Sequence, residues 1–299
     1  MTSPLLHAMT VDVEDWYQVS GYEGAVDRAT WHERESRVVR ATGLVLDVLA
    51  SRGVRATFFT LGWVAARHPA LVREIAARGH EVASHGWDHR LASSLTRDEL
   101  RDDLRRTADA LEAACGHRPV GWRAPSFSVG RDNLWVHDLL RAEGYAYSSS
   151  VFPVRHDRYG IPDFPRRPVF LRGEDGRGLW EFPMTTARLL GRNWPVAGGG
   201  WMRLLPGAVM RAALRRVEAE GVPVAVYLHP WELDPGQPTV PQAPWRARVR
   251  HRLNLDRTRP RLERLLDTMR FAPMGDVLAT LDPATGTPAH PATPGASLC

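Results

Sequence analysis

The alternation of strand-like and helix-like segments is the feature of this sequence that most restricts its fold. Short apolar runs are predicted as strands at 8–13, 55–60, 81–83, 120–123, 145–149 and 223–228. Apolar residues at helical spacing predict helices at 38–52, 69–78, 97–115, 133–143, 206–220 and 259–269. Strands separated by helices in this way are typical of repeated βα units around one parallel sheet or barrel.

Side chains that can carry chemistry follow four of these predicted strands. Three carboxylates, Asp12, Glu14 and Asp15, end the first strand. They repel one another unless a cation lies among them, although a solvated acidic turn is the plain alternative. The other strand ends carry His85 and His89, Arg123 and Pro125, and His229. Because parallel strands end on one face of a sheet or barrel, these groups are expected to converge.

The two histidines of the third strand end, His85 and His89, stand four residues apart. On a helical turn such residues share one face, so both imidazoles could point at one ion. Two histidines and a carboxylate are a common set of catalytic zinc ligands that leaves room for water. A second carboxylate and a further histidine would then be the base and the acid of a hydrolysis.

These residues resemble the motifs of the polysaccharide deacetylase (NodB-type) family of metal-dependent carbohydrate esterases. The first motif is similar to Thr-Val-Asp-Val-Glu-Asp at 10–15, and the second to Ser-His-Gly-Trp-Asp-His at 84–89. The third is similar to Arg-Ala-Pro at 123–125, and the fifth to Tyr-Leu-His at 227–229. The motifs occur in the family's order. The resemblance implies an α/β fold, a distorted (β/α) barrel of about seven strands.

The resemblance also implies a divalent metal cofactor, with Zn²⁺ the first choice. His85 and His89 would be ligands, completed by one acidic residue of the first motif. The family has adjacent aspartates, whereas this chain has Asp-Val-Glu-Asp. Asp15 has the usual residue type, but Glu14 shares a strand face with Asp12, so both remain candidates.

The remaining motif residues take catalytic roles by the same resemblance. Asp12 would be the general base, and Arg123 would keep its carboxylate charged and aimed. The backbone N–H of Ser126, beside Pro125, would help to bind the oxyanion of the tetrahedral intermediate. His229 would protonate the departing amine.

The fourth motif departs from the family pattern. Ser148 or Ser149 stands where the family has the aspartate that orients the acid histidine. Glu232, three residues after His229, is the candidate replacement. Trp201 and Trp231 are predicted to contact substrate, because tryptophan near polar strand ends suits stacking on sugar rings.

The resemblance predicts three regions. Residues 1–151 would be the N-terminal part of the barrel with the metal site. Residues 152–282 would be a C-terminal region typical of the subgroup tied to bacterial exopolysaccharide synthesis, supplying the strand that ends at His229. Its first part, 152–201, is rich in Pro and Arg and predicts an irregular insertion with β-pieces at 169–171 and 179–182. Residues 283–299 are predicted to be a disordered tail.

Composition bears on partners and compartment. The formal net charge is +5, and the basic excess is arginine, in positions that alternate with acidic and apolar residues. This pattern favours solvated helix faces over a nucleic-acid surface. Two cysteines imply no disulfide framework, and no signal peptide or membrane span is recognised, so a cytoplasmic location is expected. Peripheral association with membrane-bound polysaccharide machinery fits the basic surface, and the oligomeric state is open.

The leading functional prediction is hydrolysis of N-acetyl groups from amino sugars in a polysaccharide or its lipid-linked precursor. The N-acetylated polysaccharide is then the expected partner. A second enzymatic interpretation is hydrolysis of a small non-sugar amide. A third, from a different class, is a non-catalytic carbohydrate-binding protein with a vestigial metal site.

Overall fold

The computed structural model describes residues 5–156, 159–174 and 176–287. The strands are β1 (Leu6–Val13), β2 (Thr57–Thr60), β3 (Glu81–Ser84), β4 (Gly121–Trp122), β5 (Tyr147–Ser148), β6 (Val169–Arg172), β7 (Gly178–Glu181), β8 (Thr186–Leu189), β9 (Arg192–Pro195), β10 (Ala225–Leu228) and β11 (Arg270–Ala272). The helices are α1 (Val38–Ala50), α2 (Gly62–Arg67), α3 (Pro69–Ala77), α4 (Arg97–Cys115), α5 (Val136–Ala142), α6 (Gly199–Leu204), α7 (Gly207–Ala219), α8 (Trp245–Arg252), α9 (Leu255–Leu266) and α10 (Met274–Leu278).

Seven parallel strands form the main sheet, in the order β10-β1-β2-β3-β4-β5-β7. β6 adds to β7 in the antiparallel sense, and β11 pairs with the first residues of β1. Together with helices on the outside, this curled sheet confirms the predicted α/β, distorted barrel architecture. β1 is buried along almost its whole length, as expected of a central strand covered on both faces.

The start of α4 follows directly from the local sequence. Thr96 and Glu99 form a capping box at the start of α4, in which each side chain accepts a backbone N–H from the other residue. The last predicted helix is displaced: α9 ends at Leu266, and the chain then forms β11. None of the described helices has the length and apolar run that a bilayer crossing needs.

The segment predicted as an irregular insertion contributes directly to the barrel. The predicted β-pieces are β6 and β7, and β7 lies beside β5 in the main sheet. β8 and β9, which the sequence pattern missed, form a separate hairpin. The proposed boundary between 151 and 152 stays a prediction. Of the predicted tail, 283–287 form a turn closed by hydrogen bonds to Asp282, and 288–299 lie outside the described residues.

Candidate active site

The predicted site residues meet at the carboxyl ends of neighbouring strands. Strand register aligns these ends, because Asp12 on β1 pairs with Phe59 on β2, which pairs with Ala83 on β3. Ser84 at the end of β3 then pairs with Trp122 at the end of β4. On the other side of β1, the last residue of β10 is level with Val11. The residues that follow these strands therefore face one another, as the parallel arrangement predicted.

The two histidines converge, but not through the helical turn that the spacing suggested. The chain leaves β3 at Ser84 and passes through two left-handed residues, Gly86 at φ 74° and His89 at φ 61°. This loop brings the His85 and His89 rings to a centroid distance of 5.5 Å. The His85 Nδ1 lies 2.9 Å from the carbonyl of Arg123, and since a carbonyl only accepts, Nδ1 carries the proton. The His85 Nε2 is thus left unprotonated, as a metal ligand requires.

Contacts from outside the loop hold it in place. The backbone N–H of Trp87 donates to both carboxylate oxygens of buried Asp103, at 3.1 and 3.0 Å. The Arg28 guanidinium donates to the carbonyls of Asp88 and His89. Burial lowers the pKa of His85 to about 4, so its imidazole is neutral at physiological pH.

Glu14 completes a group with the two histidines. Its carboxylate and the two rings each offer a ligand atom, and these atoms lie within 4.8 Å of one another. Glu14 Oε2 is 2.9 Å from His89 Nε2, within ion-pair distance but without the geometry of a hydrogen bond among the described residues. Burial would raise the pKa of Glu14, but the nearby imidazoles of His89 and His229 hold it at about 2. A buried, charged carboxylate beside two imidazoles fits a divalent cation.

Asp15, the other acidic residue considered as a ligand, lies at the start of α1. Its carboxylate accepts hydrogen bonds from the Ser36 hydroxyl at 2.6 Å and from the backbone N–H groups of Arg37 and Val38. These amides belong to the first turn of α1, which lacks partners inside the helix. Asp15 therefore caps α1 from a distant loop, and the structure does not bring it to the histidines.

We predict that Asp15→Ala lowers the free energy of unfolding by about 1–3 kcal/mol, because buried donors at the start of α1 lose their acceptor. Metal affinity should stay at the wild-type level. Chemical denaturation and metal titration of the same sample measure both quantities. Glu14→Gln is the matched comparison and should show the reverse pattern, and loss of metal from Asp15→Ala would contradict the assignment.

Asp12 and Arg123 form a buried ion pair beside this group. Arg123 Nη1 lies 2.6 Å from Asp12 Oδ1 and 2.8 Å from the Thr10 hydroxyl. Its other nitrogens donate to the carbonyl and hydroxyl oxygens of Ser149, and its guanidinium stacks 4.1 Å from the centre of the Phe59 ring. Four hydrogen bonds offset the cost of burying this charge and fix the direction of the Asp12 carboxylate.

His229 is oriented by Glu232. The His229 Nδ1 lies 2.7 Å from Glu232 Oε1, while its Nε2 faces Glu14 Oε1 at 3.6 Å. Burial lowers the pKa of His229, but the charges of Glu14 and Glu232 outweigh it and raise the pKa to about 9. Glu232 thus occupies the orienting position that the sequence left open. Ser149 serves Arg123 instead, and Ser148 donates to the Ser150 hydroxyl.

Arg203 is a site residue that sequence reasoning missed. It is buried, and its Nε donates to Glu232 Oε2 at 2.6 Å. Its Nη1 donates to the carbonyls of Arg250, His251 and Leu253. Together with His229, Arg203 holds the pKa of Glu232 below its usual range against the effect of burial.

The glycines at 198–200 explain how Arg203 reaches the site. A Cβ on Gly198 or Gly199 would overlap Tyr227 of β10, and both residues have positive φ. α6 can therefore pack directly against the end of β10. The Gly-Gly-Gly run was the available sequence signal, although it marks a close approach of backbone rather than a reacting group.

The structure shows where each of the four predicted substrate-contact residues lies. Ser126 is half-buried with φ 53°, and its hydroxyl lies 2.6 Å from that of Ser20. Pro125 packs beside Gly86 of the histidine loop. Trp201 is half-buried on α6, and its contact with substrate stays a prediction. Trp231 has little surface free for a sugar, because the side chain is 6% exposed and the rings of His229 and His251 stack on it.

The α/β barrel carries two histidines and a glutamate at its strand ends. An Asp–Arg pair and a carboxylate-bound histidine flank them. This is the arrangement expected from the polysaccharide deacetylase motifs. Residues 35–146 match the polysaccharide deacetylase family, and residues 149–279 match a domain of unknown function, DUF3473. The chain therefore carries a polysaccharide deacetylase domain followed by DUF3473, which confirms the family predicted from the motifs. Asp12 and Glu14 precede the first matched span, and His229 lies within the second.

Curated relatives match part of the chain. A chitooligosaccharide deacetylase from Rhizobium leguminosarum bv. trifolii is 42% identical over 99 residues, which is 33% of this chain and 43% of that protein. A peptidoglycan-N-acetylglucosamine deacetylase, PgdA, from Listeria monocytogenes is 34% identical over 87 residues, which is 29% of this chain and 19% of that protein. The matches thus span less than half the length of these relatives.

Solved structures share the fold over almost the whole chain. A crystal structure from Mycobacterium smegmatis, assigned to the polysaccharide deacetylases, aligns over 99% of this chain and 97% of its own, with 21% identity and a TM-score of 0.64. The PuuE allantoinase aligns over 91% of this chain and 88% of its own, with 14% identity and a TM-score of 0.59. At these identities the likeness describes the fold alone.

Proposed function

We propose that this protein hydrolyses N-acetyl groups from amino sugars in a bacterial exopolysaccharide or its lipid-linked precursor, with a divalent metal ion, Zn²⁺, as cofactor. The observation that carries the proposal is the group of Glu14, His85 and His89 at the strand ends, next to Asp12 and His229. The relatives are named as deacetylases of chitooligosaccharides and of peptidoglycan N-acetylglucosamine, and this supports an N-acetylated amino sugar as substrate.

Glu14, His85 and His89 would hold the metal ion. When bound, the ion would act as a Lewis acid toward the acetyl carbonyl and would bring the pKa of water down to about 7. Two imidazoles and one carboxylate are ligands that suit Zn²⁺, and they leave positions for water and substrate.

Asp12 is the proposed general base. Because Arg123 binds Oδ1, we assign the proton transfer from the attacking water to Asp12 Oδ2. The water oxygen forms a bond to the acetyl carbon, and the Ser126 N–H is the proposed donor to the resulting oxyanion. His229 Nε2 then gives a proton to the sugar nitrogen as the C–N bond breaks, releasing acetate and the free amine.

Two rival functions can be distinguished from this proposal by the substrates they act on. The fold shared with an allantoinase makes hydrolysis of a small non-sugar amide the second candidate. Such an enzyme would bind metal but release no acetate from a chitooligosaccharide. A non-catalytic carbohydrate-binding protein would bind the oligosaccharide and leave it intact. Peripheral association with membrane-bound polysaccharide machinery stays a prediction.

The proposal predicts that the purified chain binds one divalent ion and releases acetate from an N-acetylated chitooligosaccharide. Treatment with a chelator should abolish acetate release, and Zn²⁺ should restore it. His85→Ala should lose both the ion and the activity, because two remaining ligands hold Zn²⁺ poorly. Metal analysis and an enzymatic acetate assay measure the two effects.

Exposed His117 supplies the matched control. His117→Ala removes an imidazole far from the strand ends and should keep both metal and activity. Acetate release that survives complete metal removal, or full metal retention by His85→Ala, would contradict the proposal.

A further inference from the structure

The indole of Trp231 lies against the proposed ligand Glu14. Its Nε1–H donates to Glu14 Oε1 at 3.1 Å, and both side chains are buried, with exposures of 6% and 1%. An indole N–H is a donor only and does not titrate, so it marks Oε1 as an acceptor at every pH. The other oxygen, Oε2, is the one that lies 2.9 Å from His89 Nε2.

The Trp231 ring is itself fixed. His229 stacks on it with a centroid distance of 5.0 Å and an interplanar angle of 18°, and His251 stacks with values of 4.1 Å and 21°. His251 is held in turn through its Nε2, 2.8 Å from Gln237 Oε1. Because the ring cannot rotate without breaking both stacks, the direction of its N–H is set by the surrounding core.

A glutamate needs such an anchor more than a shorter acid would. Its carboxylate is three rotatable bonds from the backbone and can turn either oxygen, or both, toward an ion. Among the described residues, Trp231 is the partner that hydrogen-bonds Oε1, whereas Oε2 has none. The two oxygens are therefore distinguished before any ion binds.

We infer that Trp231 is a positioning residue of the metal site, holding Oε1 of Glu14 so that Oε2 is presented to an ion shared with His85 and His89. The inference rests on the proposed function, since it requires a metal at this group. Outer partners that orient a ligand typically change metal affinity by about 10–100-fold when they are removed. Trp231 thus supports the metal site by orienting Glu14. This role differs from the stacking on a sugar ring that the sequence predicted.

Trp231→Phe tests the inference, because it removes the N–H and keeps an aromatic ring for the two histidines to stack on. Zn²⁺ affinity, measured by competition with a chromophoric chelator, should fall by about 10–100-fold. Trp31→Phe is the matched control. Trp31 is buried in the same aromatic cluster, but its Nε1 has no hydrogen-bond partner in the described part of the chain, so Zn²⁺ affinity should not change.

A second measurement uses the wild-type protein and does not depend on the variant folding. In a ¹⁵N spectrum, titration with Zn²⁺ should shift an indole N–H resonance, because the acceptor of the Trp231 N–H becomes a metal ligand. Wild-type affinity in folded Trp231→Phe, or a titration that moves no indole resonance while Zn²⁺ binds, overturns the inference. A wild-type protein that binds no divalent ion overturns the proposed function itself.

Discussion

Replacing Asp12 with asparagine is expected to lower the turnover of an N-acetylated oligosaccharide by about 10²–10⁴-fold. Asparagine keeps the size of the side chain, and its carbonyl can still accept from Arg123, but an amide does not take a proton from water at neutral pH. The loss corresponds to about 3–5 kcal/mol of transition-state stabilisation. The measurement is kcat for acetate release at saturating substrate.

Two controls separate a lost base from a damaged site. Metal content should be unchanged, because Asp12 is not one of the three grouped ligands. Asp234→Asn is the matched variant: Asp234 is also buried and paired with an arginine, Arg37, at 2.5 Å, but it lies outside the reacting groups. Wild-type turnover by Asp12→Asn, or an equal loss in Asp234→Asn, would contradict the assignment of Asp12 as base.

The sequence predicts the meeting of the strand ends because that meeting follows from topology alone. Once strands alternate with helices, parallel strands must end on one side, and polar residues after β1, β3, β4 and β10 must face one another. The histidine pair was predicted correctly to converge, but on the wrong local structure. Spacing of four suggested a helical turn, whereas Gly86 and a left-handed His89 form a loop that achieves the same convergence.

Other features could not be predicted because they depend on distant contacts. Glu14 and Asp15 are adjacent carboxylates with different surroundings. The segment before α1 brings Ser36 to Asp15, and this contact distinguishes the two residues. Arg203 lies 29 positions before Glu232, and no local pattern connects the two. Hydrogen bonds between residues this far apart leave no periodicity in the sequence, so only the folded chain reveals them.

The acid role of His229 gives the second large expected effect. His229→Asn should lower kcat for the N-acetylated oligosaccharide by about 10²–10⁴-fold, because the sugar nitrogen cannot leave without a proton. Hydrolysis of 4-nitrophenyl acetate should be affected far less, since its phenolate leaves without one. Asp12→Asn, in contrast, should slow both substrates, because both need an activated water.

The comparison of two substrates makes the His229 assignment independent of metal binding. Glu14, His85 and His89 are intact in His229→Asn, so at saturating Zn²⁺ its metal content should equal that of the wild type although the His229 stack on Trp231 is lost. If the variant lost amide and aryl ester hydrolysis to the same extent, His229 would act in binding or in shaping the site rather than as the acid. A selective loss of amide hydrolysis would place the proton donor at His229 Nε2, the ring atom that Glu232 leaves free when it binds Nδ1 at 2.7 Å.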